Sequence, residues 1–179
     1  MTQIAVQYAA ALYSLAAEEG LTDRIMQELR LLDESFSETP DYPRLLSAPN
    51  IPKEERCRIL DAGFRGRVHP YLLNFLKILT EKGYARHFGD CRKAYEKQYN
   101  AENGILPVQA VTAVPLSAEQ QTKLIQKLES MTGKTIALSN RIDPACLGGV
   151  QLHYDGKQVD GTVKNRLDTV GNLLKETVL

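Results

Sequence analysis

The residue types able to do chemistry are His69, His87 and His153, Cys57, Cys91 and Cys146, the Glu54-Glu55 pair and the Gly148-Gly149 step. Two carboxylates can share general acid and base work only if they converge. Glu54 and Glu55 are neighbours in a helical pattern, so they point in different directions, and the helix dipole explains acids in a first turn. Gly148-Gly149 lacks the spacing of a phosphate cradle and the lysine with serine or threonine that would follow it. It reads instead as backbone freedom at the entrance to a strand. The histidines fall in different elements with no cysteine or carboxylate at metal-ligand spacing. No Gly-x-Ser-x-Gly elbow is present, so an enzyme would need a triad assembled from distant positions. Catalytic, cofactor-binding and metal-ligating residues are therefore all expected to be none.

The chain of 179 residues carries 22 basic and 22 acidic side chains, with a pI near 6.8. Up to Asn103 there are 14 basic and 15 acidic residues, and beyond it 8 and 7. Neither half offers the basic excess by which nucleic-acid binders neutralise phosphates. Three widely spaced cysteines suit a reducing compartment and read as small buried hydrophobes. No apolar run approaches a membrane span. The start, MTQIAVQYAAALYSLAAEEG, lacks the features of a signal or transit peptide. A soluble protein that stays where it is made is expected, held at any membrane by something else.

The elements that would position these residues change character at Asn103-Gly104. Before that point the chain punctuates into six helices. The first runs from residue 3 to about 19 and stops at Gly20, and the second, from Thr22, carries Ile25, Leu29, Leu32 and Phe36 on one face. Pro40, Pro52 and Pro70 each sit where a first helical turn accepts proline. The helix opened by Pro70 places Leu72, Phe75, Leu76 and Leu79 on one stripe and stops near Gly83. The sixth turns Phe88, Cys91, Tyr95 and Tyr99 inward, with Arg92, Lys93, Glu96 and Lys97 toward solvent.

After Asn103 the period becomes that of strands. Ile105 to Val114 reads as a strand that Pro107 places at an edge or near its own start. Ser117 with Gln120 forms a capping-box pattern for a helix presenting Leu124, Ile125, Leu128 and Met131, closed by Gly133. Lys134 to Asn140 and Val150 to Tyr154 are two short strands, the latter turning at Asp155-Gly156. Asp160-Gly161-Thr162 opens a last helix with Val163, Leu167, Val170 and Leu174 on one face. The fold class is mostly α: a six-helix bundle over 1–103, then a small α/β module, strand-helix-strand-strand-helix, over 104–179. The module is near the lower size limit for independent stability.

One helix is oilier than a bundle requires. From Ile4 to Ala17 only Gln7 and Ser14 are polar, whereas packing on a core needs a single apolar stripe. Ile4, Tyr8, Ala11 and Leu15 form one stripe, and Ala5, Ala9, Leu12 and Ala16 a neighbouring one. Either the helix is buried all round by its siblings, or one stripe packs internally and the other receives a partner helix.

Several segments together resemble the delta subunit of F-type ATP synthases, whose mitochondrial relative is the oligomycin-sensitivity-conferring protein. They are Tyr8-Ala9 and Ala11-Leu12, Asn74-Phe75-Leu76 with Leu79 and Gly83, and Val111 to Ser117 (VTAVPLS). In the C-terminal half they are Ile142-Asp143-Pro144, Leu147-Gly148-Gly149-Val150, Gly156, Val159-Asp160-Gly161-Thr162 and Arg166-Leu167. The order holds along essentially the whole chain. Two positions depart from the pattern: Tyr84 stands where an arginine commonly follows the glycine, with Arg86 two residues on, and Asn165 where a small residue is frequent.

The resemblance implies a non-catalytic stator component without cofactor. Its N-terminal bundle would bind the N-terminal helices of alpha subunits, and its C-terminal module the distal ends of the b subunits. One copy would serve each complex, on the cytoplasmic side of a bacterial plasma membrane or the stromal side of a thylakoid. It also implies a groove between the first and fifth helices, with Tyr8, Ala9, Leu12, Leu72, Phe75, Leu76 and Leu79 as contact candidates, although both helices also need some of these for the internal core. Gly148, Gly149, Asp160, Gly161, Thr162, Arg166 and Leu167 would be a structural motif. A helical adaptor of another cytosolic complex and a small enzyme with an unrecognised site are the alternatives.

Overall fold

The computed structural model describes residues 2–48, 50–146 and 148–161. The chain divides into two compact units, 1–99 and 100–179.

The first unit is built from α1 (Gln3–Glu18), α2 (Thr22–Glu38), α3 (Asp41–Leu46), α4 (Lys53–Phe64), α5 (Pro70–Glu81), a 3-10 turn (Ala85–His87) and α6 (Phe88–Glu102), whose last residues pass the division. Local signals set the ends. The Ala5 N–H donates to Thr2 Oγ1 at the start of α1. Pro70 opens α5, where His69 Nδ1 accepts from the Tyr71 N–H. The close of α5 has the double-hydrogen-bond form in which the Tyr84 N–H reaches Leu79 O and the Gly83 N–H reaches Thr80 O. That geometry puts Gly83 at φ 77°, a conformation costly for a side chain.

One continuous core joins the helices, from Ala5, Ala9 and Leu12 through Ile25, Leu29, Leu46, Leu60, Leu72 and Leu79 to Phe88 and Tyr95. Phe36 meets Tyr42, Phe64 and Phe88 with ring centroids 5.0–6.1 Å apart. Tyr95 packs edge-on against Tyr13 at 5.2 Å, and its hydroxyl donates to Thr22 O. The buried Arg56 guanidinium donates to Leu46 O at the end of α3 and to Thr80 O near the end of α5. One side chain on α4 thus ties together the C-terminal ends of two other helices, sharing Thr80 O with the Gly83 N–H. On α6, Lys93 and Lys97 face solvent as their spacing predicts, but Arg92 and Glu96 turn toward α2. There Arg92 meets Asp33 at 2.7 Å and Glu96 meets Arg30 at 2.7 Å, with Arg92 and Glu96 paired at 2.6 Å.

The second unit contains β1 (Ile105–Thr112), α7 (Ala118–Thr132), β2 (Thr135–Ile142), β3 (Val150–Tyr154) and β4 (Lys157–Asp160) in sheet order β2-β1-β3-β4. β1 and β2 are parallel, joined by α7, while β3 runs antiparallel to β1 and β4 to β3. β1 is central. Pro107 is accommodated because the register with β3 begins only at Val108, so no ladder partner is lost on that side.

Both halves of the capping box form at Ser117 and Gln120. α7 covers one sheet face, with Leu124, Ile125 and Leu128 against Leu106, Val108, Ile136, Leu138, Leu152 and Tyr154. Met131, expected inward, is 71% exposed. The stripe stops at Leu128, and one residue on Glu129 Oε1 accepts from the Ile136 N–H. β4 is an addition to the strands read from sequence, paired through a two-residue turn with Asp155 at φ 49° and Gly156 at φ 72°. Asp160 therefore ends a strand. The expected last helix, with Val163, Leu167, Val170 and Leu174, lies outside the described residues, as do Thr162 and Arg166.

Candidate docking surface

Helix α1 separates its two stripes. Ala5, Ala9, Leu12 and Ala16, with Tyr13, are buried. The three alanines among them let the backbone of α1 lie close to its neighbours, α2 and α5. The neighbouring stripe is left uncovered: Ile4 is 37% and Leu15 38% exposed, Ala11 is exposed, and Tyr8 is half-buried. Val6 adds a further apolar side chain at 47%. On α5, Leu72, Phe75, Leu76 and Leu79 are all buried, while Ile78 is 44% exposed. The Tyr8 ring lies 6.2 Å from Tyr84, which follows α5, and Tyr84 lies 6.3 Å from His87.

Of the seven contact candidates, Tyr8 is thus the one with substantial exposure, and the other six belong to the bundle's own core. On α1 and α5 the exposed large apolar side chains are Ile4, Val6, Leu15 and Ile78, with Ala11 and Ala17 exposed beside them. The stripe through Ile4, Tyr8, Ala11 and Leu15 was readable as a stripe. Its outward direction was not, because both stripes of α1 are comparably apolar and only tertiary fit selects the alanine-rich one for close packing.

The described residues of the C-terminal motif, Gly148, Gly149, Asp160 and Gly161, gather at one end of the sheet. Thr112 pairs with both Ile142 and Val150, and Gln151 pairs with Asp160. Asn140 Nδ2 donates to Ala110 O and Thr112 Oγ1, and its Oδ1 accepts from the Leu116 N–H. Gly148 and Gly149 enter β3 at φ 151° and 83°. The Gly161 N–H donates to Val150 O, and a Cβ on Gly161 would stand 3.0 Å from that oxygen. Every one of these contacts fixes backbone geometry. None aims a reactive group at open space.

Titration behaviour agrees. Burial pushes the Cys91 thiol up to about 11, and burial followed by the Glu81 charge raises Cys57. Neither is a thiolate near neutral pH, which is the form a nucleophile needs. Among the described residues no three His, Cys, Asp or Glu side chains converge as metal ligands, and His153 Nε2 meets only Gln151 Oε1, at 3.1 Å.

The family model for the ATP synthase delta (OSCP) subunit matches residues 4–174. The chain belongs to the ATP synthase delta (OSCP) family. Among its relatives, ATP synthase subunit delta of Clostridioides difficile (strain 630) is 32% identical over 176 residues, covering 98% of this chain and 97% of that protein. The delta subunit of Alkaliphilus oremlandii (strain OhILAs) is also 32% identical, covering 98% of each. A chain in the cryo-EM structure of the Toxoplasma gondii mitochondrial ATP synthase hexamer shares the fold, with TM-score 0.74 at 20% identity over 97% of this chain and 98% of that one. Membership makes this delta-family chain a structural stator component of the F-type ATP synthase rather than a catalytic one. Its association with the membrane is peripheral, and among the described residues no helix is long and apolar enough to cross a bilayer.

Proposed function

We propose that this chain links the catalytic head to the peripheral stalk by gripping alpha-subunit N-terminal helices with its first unit and the distal ends of b subunits with its second. The work is done on the cytoplasmic side of a bacterial plasma membrane, or the stromal side of a thylakoid, with one copy per complex. The observation that carries the reading is the uncovered stripe of α1. A helix that already buries Ala5, Ala9, Leu12 and Ala16 has no need of Ile4, Ala11 and Leu15 for its own fold, while Tyr8 packs partly on the core and partly faces out. An amphipathic partner helix laid along them would cover apolar surface now in water. In this arrangement the six buried candidates shape the groove from beneath, and the exposed stripe, Tyr8 and Ile78 make direct contact. A stator resists torque through a long-lived grip, which needs contact area and no reacting group.

The test is a pull-down of the full chain with a peptide of the alpha N-terminus, alongside co-purification with b. Retention of both partners is expected. Loss of neither partner on replacing both Leu15 and Ile4 with aspartate would remove α1 from the interface.

A further inference from the structure

The first unit carries a second uncovered apolar surface away from the α1 stripe. Phe36 near the end of α2, Pro40 in the α2–α3 connection, Pro43, Ser47 and Ala48 around α3, and Arg44 and Arg86 surround a depression of about 530 Å³. Its floor is rigid: Phe36 is held among Tyr42, Phe64 and Phe88, and two prolines have little backbone freedom to lose on binding. The Ser47 hydroxyl is already spent on Pro43 O at 2.9 Å, so it makes no demand on a ligand.

The rim decides the charge. Among the described residues the Arg44 guanidinium pairs with Asp41, at 3.2 Å in a pair whose side chains are 79% and 87% exposed, an arrangement worth little in water. Arg86, exposed on the 3-10 turn, forms no ion pair among the described residues. Two available guanidiniums beside an apolar floor match carboxylates flanking a bulky apolar side chain, because the planar fork binds carboxylate through two parallel hydrogen bonds.

We propose that this depression is a second docking site, for an acidic peptide segment of another polypeptide that inserts one aromatic or aliphatic anchor over Phe36, Pro40 and Pro43 and sets its carboxylates on Arg44 and Arg86. It shares no residue with the α1 surface and stands or falls apart from it. Two weak contacts on one rigid unit raise the overall grip through effective concentration, without either being strong alone.

The experiment is an amide chemical-shift titration of the isotope-labelled full chain with the peptide acetyl-Asp-Glu-Phe-Leu-Asp-Glu-amide. The same core flanked by serine, and the same core flanked by lysine, serve as controls. Saturable shifts at Phe36, Ala48 and Arg86 are expected. Arg44→Glu with Arg86→Glu should weaken binding at least about tenfold, as expected for reversing two rim charges. Ala11→Trp on the exposed face of α1 should leave it unchanged. Both arginines are exposed, so the double variant is expected to keep its melting temperature. Absence of saturable binding, shifts centred on α1 or the second unit, equal binding of the serine- or lysine-flanked peptide, or indifference to the double reversal would each overturn the proposal.

Discussion

Two alanines two residues apart on α1 separate fold from function. Ala9 is buried at 1% exposure among the core residues, while Ala11 lies on the open stripe. Tryptophan at position 9 has no room. Overpacking by even a few methylenes costs about 1–3 kcal/mol, and an indole against a close helix contact should reach about 3 kcal/mol or more. For a unit of 99 residues, with about 4–8 °C per kcal/mol in domains of this size, the melting temperature should fall by about 12–24 °C. Tryptophan at position 11 projects into solvent and should shift stability by no more than about 0.5 kcal/mol. If a partner helix lies on the stripe, however, the indole blocks its approach. A loss of about 2–4 kcal/mol at such a contact weakens affinity by about 30- to 1,000-fold. The assay pairs thermal melts by circular dichroism with calorimetric titration of an alpha N-terminal peptide, for both variants and for Tyr8→Ala. An Ala11→Trp protein that binds normally refutes the docking assignment, and an Ala9→Trp protein that melts normally refutes the burial argument.

Arg56→Ala leaves a cavity and strips Leu46 O of its guanidinium partner, while Thr80 O keeps the Gly83 N–H, and should cost about 2–4 kcal/mol in urea unfolding; a change under about 0.5 kcal/mol would show that the guanidinium ties nothing together. The Asp61 carboxyl is held below its ordinary range by Lys77 and then Arg65, against an opposing desolvation. A depressed carboxylate contributes stability above its unfolded pKa and loses it as pH falls through the folded value. Asp61→Asn should therefore lower stability at neutral pH and flatten the loss below about pH 4; an unchanged acid limb would argue against the Lys77 contact. In native protein at pH 8, thiol labelling should reach the half-exposed Cys57 before the buried Cys91 and Cys146, an order that mass spectrometry of the modified peptides reads directly. A fragment of residues 1–103 should melt cooperatively on its own, whereas 105–179 should be marginal; a non-cooperative N-terminal melt would place the boundary elsewhere.

What was legible in the sequence was local. Glycine stops at Gly20, Gly83 and Gly133, proline starts and the Ser117 capping box act within a few residues, so they mark the helices without knowledge of the rest of the fold. What was not legible depends on partners. β4 holds four residues with one apolar side chain, and its strand exists through the ladder to β3. The apolar period of α7 would extend inward to Met131, but the sheet meets Glu129 first. Arg92 and Glu96 read as solvated because helix periodicity cannot see Asp33 and Arg30 arriving from another helix. The same blindness left the two stripes of α1 undivided.

The family signature and the docking surface are written in different kinds of residue. Gly148, Gly149 and Gly161 occupy backbone positions where a side chain would strain the chain or strike Val150 O, and Asn140 ties the β1–α7 connection to the strand ends by three hydrogen bonds. Such residues identify a fold because few alternatives fit, yet they offer a partner nothing. Ile4, Ala11 and Leu15 are interchangeable with many apolar residues and carry no signature, but they are what remains uncovered once the fold has taken its share. In a protein whose work is adhesion, the informative quantity is therefore apolar surface in excess of what the core consumes. That excess is countable only after the fold shows which stripe the core has used.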